Sequence, residues 1–264
     1  PLRLVGSEMC IRDRTCPSAM PSTPTDMAGT TSTAAPGVPS GVALLGMLQL
    51  TDSALPTGAF SHSLGLETYM SDGRVEGEED FAAWLEMFVE QQLTFTDALA
   101  VRLVYAAENF DAVADLDELV TAQALPAQIR EAGRTMGRRL LRIGAPAYPG
   151  DWVRRYHEGV EAGTLDAHQA LVWGVIAREI GVPVEEAVAA HLHASVMSLT
   201  QNAVRGIPLG QDAGQRVVRR AQEWVLRAVE VSRDLDPDDL GAIAPGLEIA
   251  QMRHERQRAR MFMS

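Results

Sequence analysis

The chain has 264 residues and a formal net charge of −12; it is 46% hydrophobic but only 5% aromatic. That length allows one large domain or two small ones with a sizeable core, apolar content carried by Ala, Leu and Val favours helices over sheets, and an acidic body disfavours nucleic acid. Every one of the 23 basic residues is Arg, which excludes a P-loop, a Schiff-base lysine and a kinase-type ATP lysine, and with Cys10 and Cys16 as the two thiols the body has neither a Cys-rich zinc site nor a Cys nucleophile.

Residues 1–40 stand apart. Arg3, Glu8, Arg12, Asp13 and Arg14 interrupt any signal-peptide core. The run Val5–Arg14 (VGSEMCIRDR) resembles translated sequencing-adapter DNA, which would put the native start at Met20 or Met27. Pro17–Ser40 is built of Pro, Ser, Thr, Ala and Gly with one acid, Asp26, and is expected to be a disordered extension because it cannot bury enough surface to offset its ordering entropy.

From residue 41 the spacing is helical. Leu44, Leu45, Leu48 and Leu50 mark a short apolar helix, and Phe81, Trp84, Leu85, Phe88 and Val89 a second. Leu171, Val172, Val175 and Ile176 mark another, Val188 to Ala203 another, and Val217 to Val229 a further one. Breakers separate them at Ser71–Gly73, Gly144–Gly150, Gly181–Pro183, Gly206–Pro208 and Asp236–Asp238. Pro183 suits the first position of a helix, and Asp236–Asp239 reads as a turn and helix cap. No run of six residues alternates as a strand does, and no apolar run reaches the roughly 20 residues of a membrane span. The expectation is an all-α, single-domain bundle of roughly eight to ten helices over residues 41–264, with a C-terminal tail at 239–264.

Three segments carry more than core spacing. Ala54–Glu67 (ALPTGAFSHSLGLE) sets Phe60 and Leu64 among Gly, Pro and hydroxyl residues; it reads either as a shaped, packed loop or as plain N-capping of the next helix by Ser61 or Ser63. Ser198–Gln215 (SLTQNAVRGIPLGQDAGQ) ends a helix at Gly206, blocks it at Pro208 and turns at Gly210, with Asn202 and Gln211 placed to bond across helices or across an interface. Asp239–Ser264 is basic at its end. Arg253, Arg256, Arg258 and Arg260 against Glu255 give the last twelve residues +3, the first forty sum to zero, and the remainder carries −15. Such an end docks on its own body or on an acidic partner, or else complements a helix dipole. Met252, Met261 and Met263 add adaptable apolar contacts, and a poorly ordered terminus that orders on binding fits as well. The six histidines form no HExxH or His/Cys cluster, so no built-in metal and no cofactor is expected.

At these segments the chain resembles the urease accessory protein family UreF. LLGMLQLTDSALPTGAFSHSLGLETYM resembles the family's opening helix and loop, VRGIPLGQDAGQRVV its central hairpin, and DLGAIAPGLEIAQMRHERQRARMF its C-terminal signature, in family order. The resemblance implies an all-α cytoplasmic homodimer, not an enzyme, that binds the accessory protein UreD/UreH and through it recruits the GTPase UreG to the urease apoprotein. It implies that nickel is handled transiently by the complex rather than held as a cofactor. Carried over by position, the partner-binding residues are Pro56, Gly58, Phe60, Ser61, His62, Gly65 and Glu67; Pro208, Gly210 and Gln211; and Met252, Arg253, His254 and Glu255. An α-helical ligand-binding regulator is the alternative, with the Arg-rich end as its only candidate for recognition, and the acidic body speaks against DNA as its ligand.

Overall fold

The computed structural model describes residues 40–241 and 243–264. Apart from Ser40, the expected disordered extension lies outside the described residues, and so do both cysteines. The helices are α1 (Gly41–Leu50), α2 (Leu66–Ser71), α3 (Glu78–Met87), a π-helical segment (Phe88–Ala98), α4 (Leu99–Ala106), α5 (Phe110–Gln123), α6 (Ala127–Ala147), α7 (Asp151–Glu161), α8 (Gln169–Glu179), α9 (Val184–Gly206), α10 (Gln211–Val231) and α11 (Pro245–His254). Because α3, the π-helical segment and α4 run on as one rod, the described residues hold ten separate helices and no strand, the all-α bundle that the spacing predicts.

The bundle is organised around α8. Residues Ala170 to Ala177 are apolar on every side and all buried, and a helix without a polar face belongs at the centre. Glycines let its neighbours close in. A Cβ on Gly137 of α6 would stand 1.8 Å from the Ala167 carbonyl oxygen, and one on Gly144 2.4 Å from Ile176 Cδ1. On the opposite side Gly174 admits Val104 of α4, whose side chain would lie 3.2 Å from an added Cβ. This corrects the reading of Gly144–Gly150 as a break. The helix runs through Gly144, which is there to admit Ile176, and through Pro146 to Ala147, because a proline in the last turn disturbs few hydrogen bonds.

Polar groups taken into this core are tied. Asp117 of α5 accepts from Tyr156 Oη at 2.6 Å and from the backbone N–H of Asp166 and His168 at 2.5 and 3.1 Å, holding the chain where it enters α8. Trp173 Nε1 donates to the Ala187 carbonyl at 2.8 Å. Arg102 of α4 donates to Glu185, Ser232 and the Val229 carbonyl, joining α9 and the end of α10. On the surface, Arg216, Arg220 and Arg227 of α10 pair with Glu78, Glu79, Glu86 and Glu90 of the α3 rod. Exposed pairs of this kind contribute about 0–1 kcal/mol each.

The π-helical segment was not legible in the residue spacing. Its wider turns leave carbonyls for other partners: Gly241 N–H donates to Phe95 O at 2.9 Å and Ile243 N–H to Gln91 O at 3.2 Å, so the linker before α11 is bonded to this rod. Two further expectations shift. Pro183, predicted as the first helical residue, is the cap before α9, which starts one residue later at Val184. In α1 the residues facing the body are Ala43, Gly46 and Leu50, while Leu45 and Leu48 are exposed at 68% and 55%.

The α6–α8 approach yields a first prediction. Gly137→Ala places a methyl against backbone that cannot rotate away, so urea unfolding should show a loss of about 1–3 kcal/mol. Gly163→Ala, with open space but φ +73°, is the control for backbone strain alone.

Candidate partner-docking site

The connection from α1 to α2 is held by two glycines in the left-handed region. Gly58 has φ +85° and Gly65 φ +100°. Arg139 of α6 lies beneath Gly58, where a Cβ would fall 2.0 Å from Nη1, and it donates to the Thr57 carbonyl at 3.2 Å. Gln251 of α11 lies against Gly65, and its Nε2 donates to the Leu64 carbonyl at 3.0 Å. The 3₁₀ turn Ala59–Ser61 between these fixed points leaves Phe60 56% exposed and turns His62 and Ser63 inward. A packed loop is therefore what Ala54–Glu67 forms. The capping alternative is present only weakly: Gly65 is the cap residue, and Ser63 Oγ accepts from Glu67 N–H at 3.4 Å.

The C-terminal segment packs against this loop. Glu67, 8% exposed, takes three donors or ring contacts from it: His254 Nε2 at 2.8 Å, Phe262 N–H at 3.0 Å, and Met261 N–H. The other ring nitrogen of His254 faces Gln128 Oε1 of α6 at 2.8 Å. Ser63 Oγ donates to the Ser264 carbonyl oxygen at 2.7 Å, Leu64 N–H reaches the same atom at 3.1 Å, and His62 Nδ1 lies 2.9 Å from Ser264 Oγ. Met263 N–H donates to the Ser61 carbonyl at 2.7 Å. Leu64 adopts φ +52° with a side chain, a strained conformation that these bonds hold in place.

The end of α9 is the third side. Asn202 Nδ2 donates to the His62 carbonyl at 2.7 Å, and Arg205 donates to the Phe60 carbonyl while lying 5.0 Å from the Phe262 ring centroid. Gly206 leaves room for Met70, whose Sδ and Cε would be 2.8 Å from an added Cβ. The α9–α10 hairpin continues from there, with Pro208, Gly210 and Gln211 exposed.

The structure thus brings the loop, the tail and the root of the hairpin together, and divides the residues singled out by sequence. Pro56, Phe60, Pro208, Gly210, Gln211, Met252, Arg253 and Glu255 are exposed; Gly58, His62, Gly65, Glu67 and His254 are buried, and Ser61 lies between. The buried ones hold the others in position. Arg205, Phe262 and Ser264 belong to the same cluster, and sequence reasoning missed them. Arg205 sits one residue before the Gly206 break, and a lone Phe in a Met- and Arg-rich tail is the only sign of an anchor. The histidines serve as ties, His191 to Asp97 at 2.8 Å as well as the two above. Among the described residues no three His, Cys, Asp or Glu side chains are placed to hold a metal ion.

The family model described as UreF matches residues 75–222. The chain belongs to the UreF family. It is 70% identical over 231 residues to the "Urease accessory protein UreF" of Kocuria rhizophila, covering 86% of this chain and 99% of that one. The protein of the same name from Corynebacterium efficiens is 54% identical over 220 residues, 83% of this chain and 96% of the relative, and that of Lachnoclostridium phytofermentans is 41% identical over 224 residues, 84% and 98%. The UreF match over 75–222 spans the α3 rod through most of α10, so the docking loop and the tail lie to either side of it.

Burial sets a pH dependence for this UreF-family chain. Desolvation, and for His62 also the Arg139 charge, pushes the ring pKa of His62 below its ordinary 6.5; burial does the same to His168 and His193. These rings resist protonation when folded and accept it freely when unfolded, so below pH 6.5 the unfolded chain binds more protons. Stability should be level above that pH and fall as pH drops from 6.5 towards 5. Thermal unfolding across pH 5–8 checks this, and His62→Gln should shallow the decline.

Proposed function

We propose that this chain is an accessory protein of urease assembly, a scaffold without chemistry of its own that acts in the cytoplasm. It docks on the accessory protein UreD/UreH, recruits the GTPase UreG through it, and supports nickel insertion into the urease apoprotein. The observation that carries this reading is the convergence at one pole of the Phe60–Glu67 loop with two segments that lie 140 and 202 residues further along the chain. Rigid presentation of an exposed aromatic is what a protein-binding hot spot requires. Phe60 is stacked near Arg205, and Met263, 61% exposed, is bonded to the neighbouring Ser61. The names of the relatives, urease accessory proteins at up to 70% identity, support a partner from urease assembly for this pole. Among the described residues no helix is long and apolar enough to cross a membrane.

Co-expression with UreD/UreH and UreG should yield a complex that survives gel filtration; failure to bind UreD/UreH at all would sink the reading. Within it, Phe60→Glu and Met263→Glu change exposed side chains and should leave the thermal midpoint unchanged. Each should weaken UreD/UreH binding by about 2 kcal/mol or more, about thirtyfold in Kd.

The homodimer of this reading uses the outer face of α1. Val42, Leu45 and Leu48 are exposed at 72%, 68% and 55% on one short helix, an apolar surface of the kind that self-association covers. Leu45→Glu with Leu48→Glu should convert a dimer to a monomer by light scattering, without change in helical content.

A further inference from the structure

We infer that residues 255–260 form a preorganised cationic loop whose arginines dock on an acidic protein surface. The inference rests on the partner-docking reading above and adds the chemistry of the surface that is met. Glu67 clamps both ends of the loop, taking His254 Nε2 before it and the N–H groups of Met261 and Phe262 after it. A third tie runs from its middle, where Gln257 Nε2 donates to Thr68 Oγ1 at 3.1 Å.

These ties turn Arg256, Arg258 and Arg260 to solvent. Ten of the described arginines pair with carboxylates, as in the bidentate contacts of Arg216 with Glu78 and of Arg253 with Asp72. None of the three loop arginines has a carboxylate within 4.0 Å among the described residues, and the only acid inside the loop is Glu255. On a chain of net charge −12, these three exposed guanidiniums keep their hydration and have no carboxylate of the chain in reach, so they are free to pair with an outside surface. The loop gains when it meets carboxylates, with little ordering entropy left to lose.

The loop adjoins the exposed Met261 and, through Met263 and Ser61, the Phe60 turn. That combination of apolar anchors and cationic flank fits a protein face with an apolar pocket rimmed by Asp and Glu. Nucleic acid and anionic lipid share the charge of such a face, but the acidic body repels both. Glu67 is a positioning residue here, because it faces the loop from within and is buried.

The test compares the full chain with the triple variant Arg256→Gln, Arg258→Gln, Arg260→Gln. Three probes are used: the cognate UreD/UreH protein, an immobilised peptide of alternating Glu and Leu, and a 20-nucleotide single-stranded DNA. The expected result is an association rate with UreD/UreH about tenfold or more lower for the variant at 50 mM NaCl, the two chains converging at 500 mM. The peptide should retain the parent chain and release the variant, and the DNA should bind neither. Equal rates for both chains at low salt would overturn the inference while leaving the docking reading intact. If UreD/UreH binds neither chain, the docking reading falls; the peptide then decides the loop, and equal retention overturns it. DNA binding that is lost in the variant would assign the loop to nucleic acid and overturn it too. Glu67→Gln, which keeps the shape but weakens the clamp, should raise amide exchange at Met261 and Phe262 and give an intermediate rate; an unchanged exchange rate there would remove Glu67 from its positioning role.

Discussion

A carboxylate removed from water must be repaid in hydrogen bonds, and Glu67 collects its bonds from the far end of the chain. The first turn of α2 and the last residues share one buried group: His254 on one side, the amides of Met261 and Phe262 on the other. The surrounding arrangement depends on that sharing. With the tail seated, Ser264 can accept from Ser63 and Leu64, and Leu64 can hold a backbone angle that a free loop would abandon. Phe262 then fills the space beside Gly206 and Arg205, and Arg205 in turn bonds the carbonyl of Phe60. Removing a partner from a buried charged group costs several times what the bond itself contributes, so the loop, the tail and the end of α9 stand or loosen together.

Much of the fold was legible because helices announce themselves through spacing. The sets around Leu171, Val188 and Val217 became α8, α9 and α10, and Asp236–Asp239 became a capped turn. The errors came where a residue's packing partner decides its role. Gly144 looks like a break in a single chain; beside Ile176 it is a point of contact. The leucines of α1 look like core; Ala43, Gly46 and Leu50 face the body, with Gly46 against Tyr148 and Ile180, while Leu44, Leu45 and Leu48 are exposed. The π-helical segment is bonded to linker amides about 150 residues away, which no local window contains. At this pole, the three segments that residue types and family resemblance singled out come together. Only the fold separates Phe60, which faces solvent, from Glu67 and His254, which face each other.

The absence of lysine gives the surface its character. A guanidinium makes two parallel bonds to a carboxylate, and this chain uses that geometry to join α10 to the α3 rod and Arg253 to Asp72. The same group over an aromatic ring ties Arg178 to Trp152 at 3.7 Å and Arg74 to Tyr69 at 4.3 Å. An acidic protein with arginine as its only permanent cation thus fixes most of its positive charge in internal geometry. Arg256, Arg258 and Arg260 of the tail, and Arg138 and Arg142 of α6, are exposed without a carboxylate partner among the described residues.

The residues that complete the docking pole also bear on how the protein is made. His62 to Glu67 leave the ribosome among the first of the described residues and must wait for the last dozen; Phe262 reaches Glu67 across 195 positions of chain. At about 5–20 residues per second of synthesis, that interval is on the order of ten seconds or more. During it α8 and its neighbours are already able to pack, while Glu67 lacks its donors and the Phe60 turn lacks its support. This pole is therefore the last part of the described chain to acquire its form, because its bonds join residues near the two ends of that stretch.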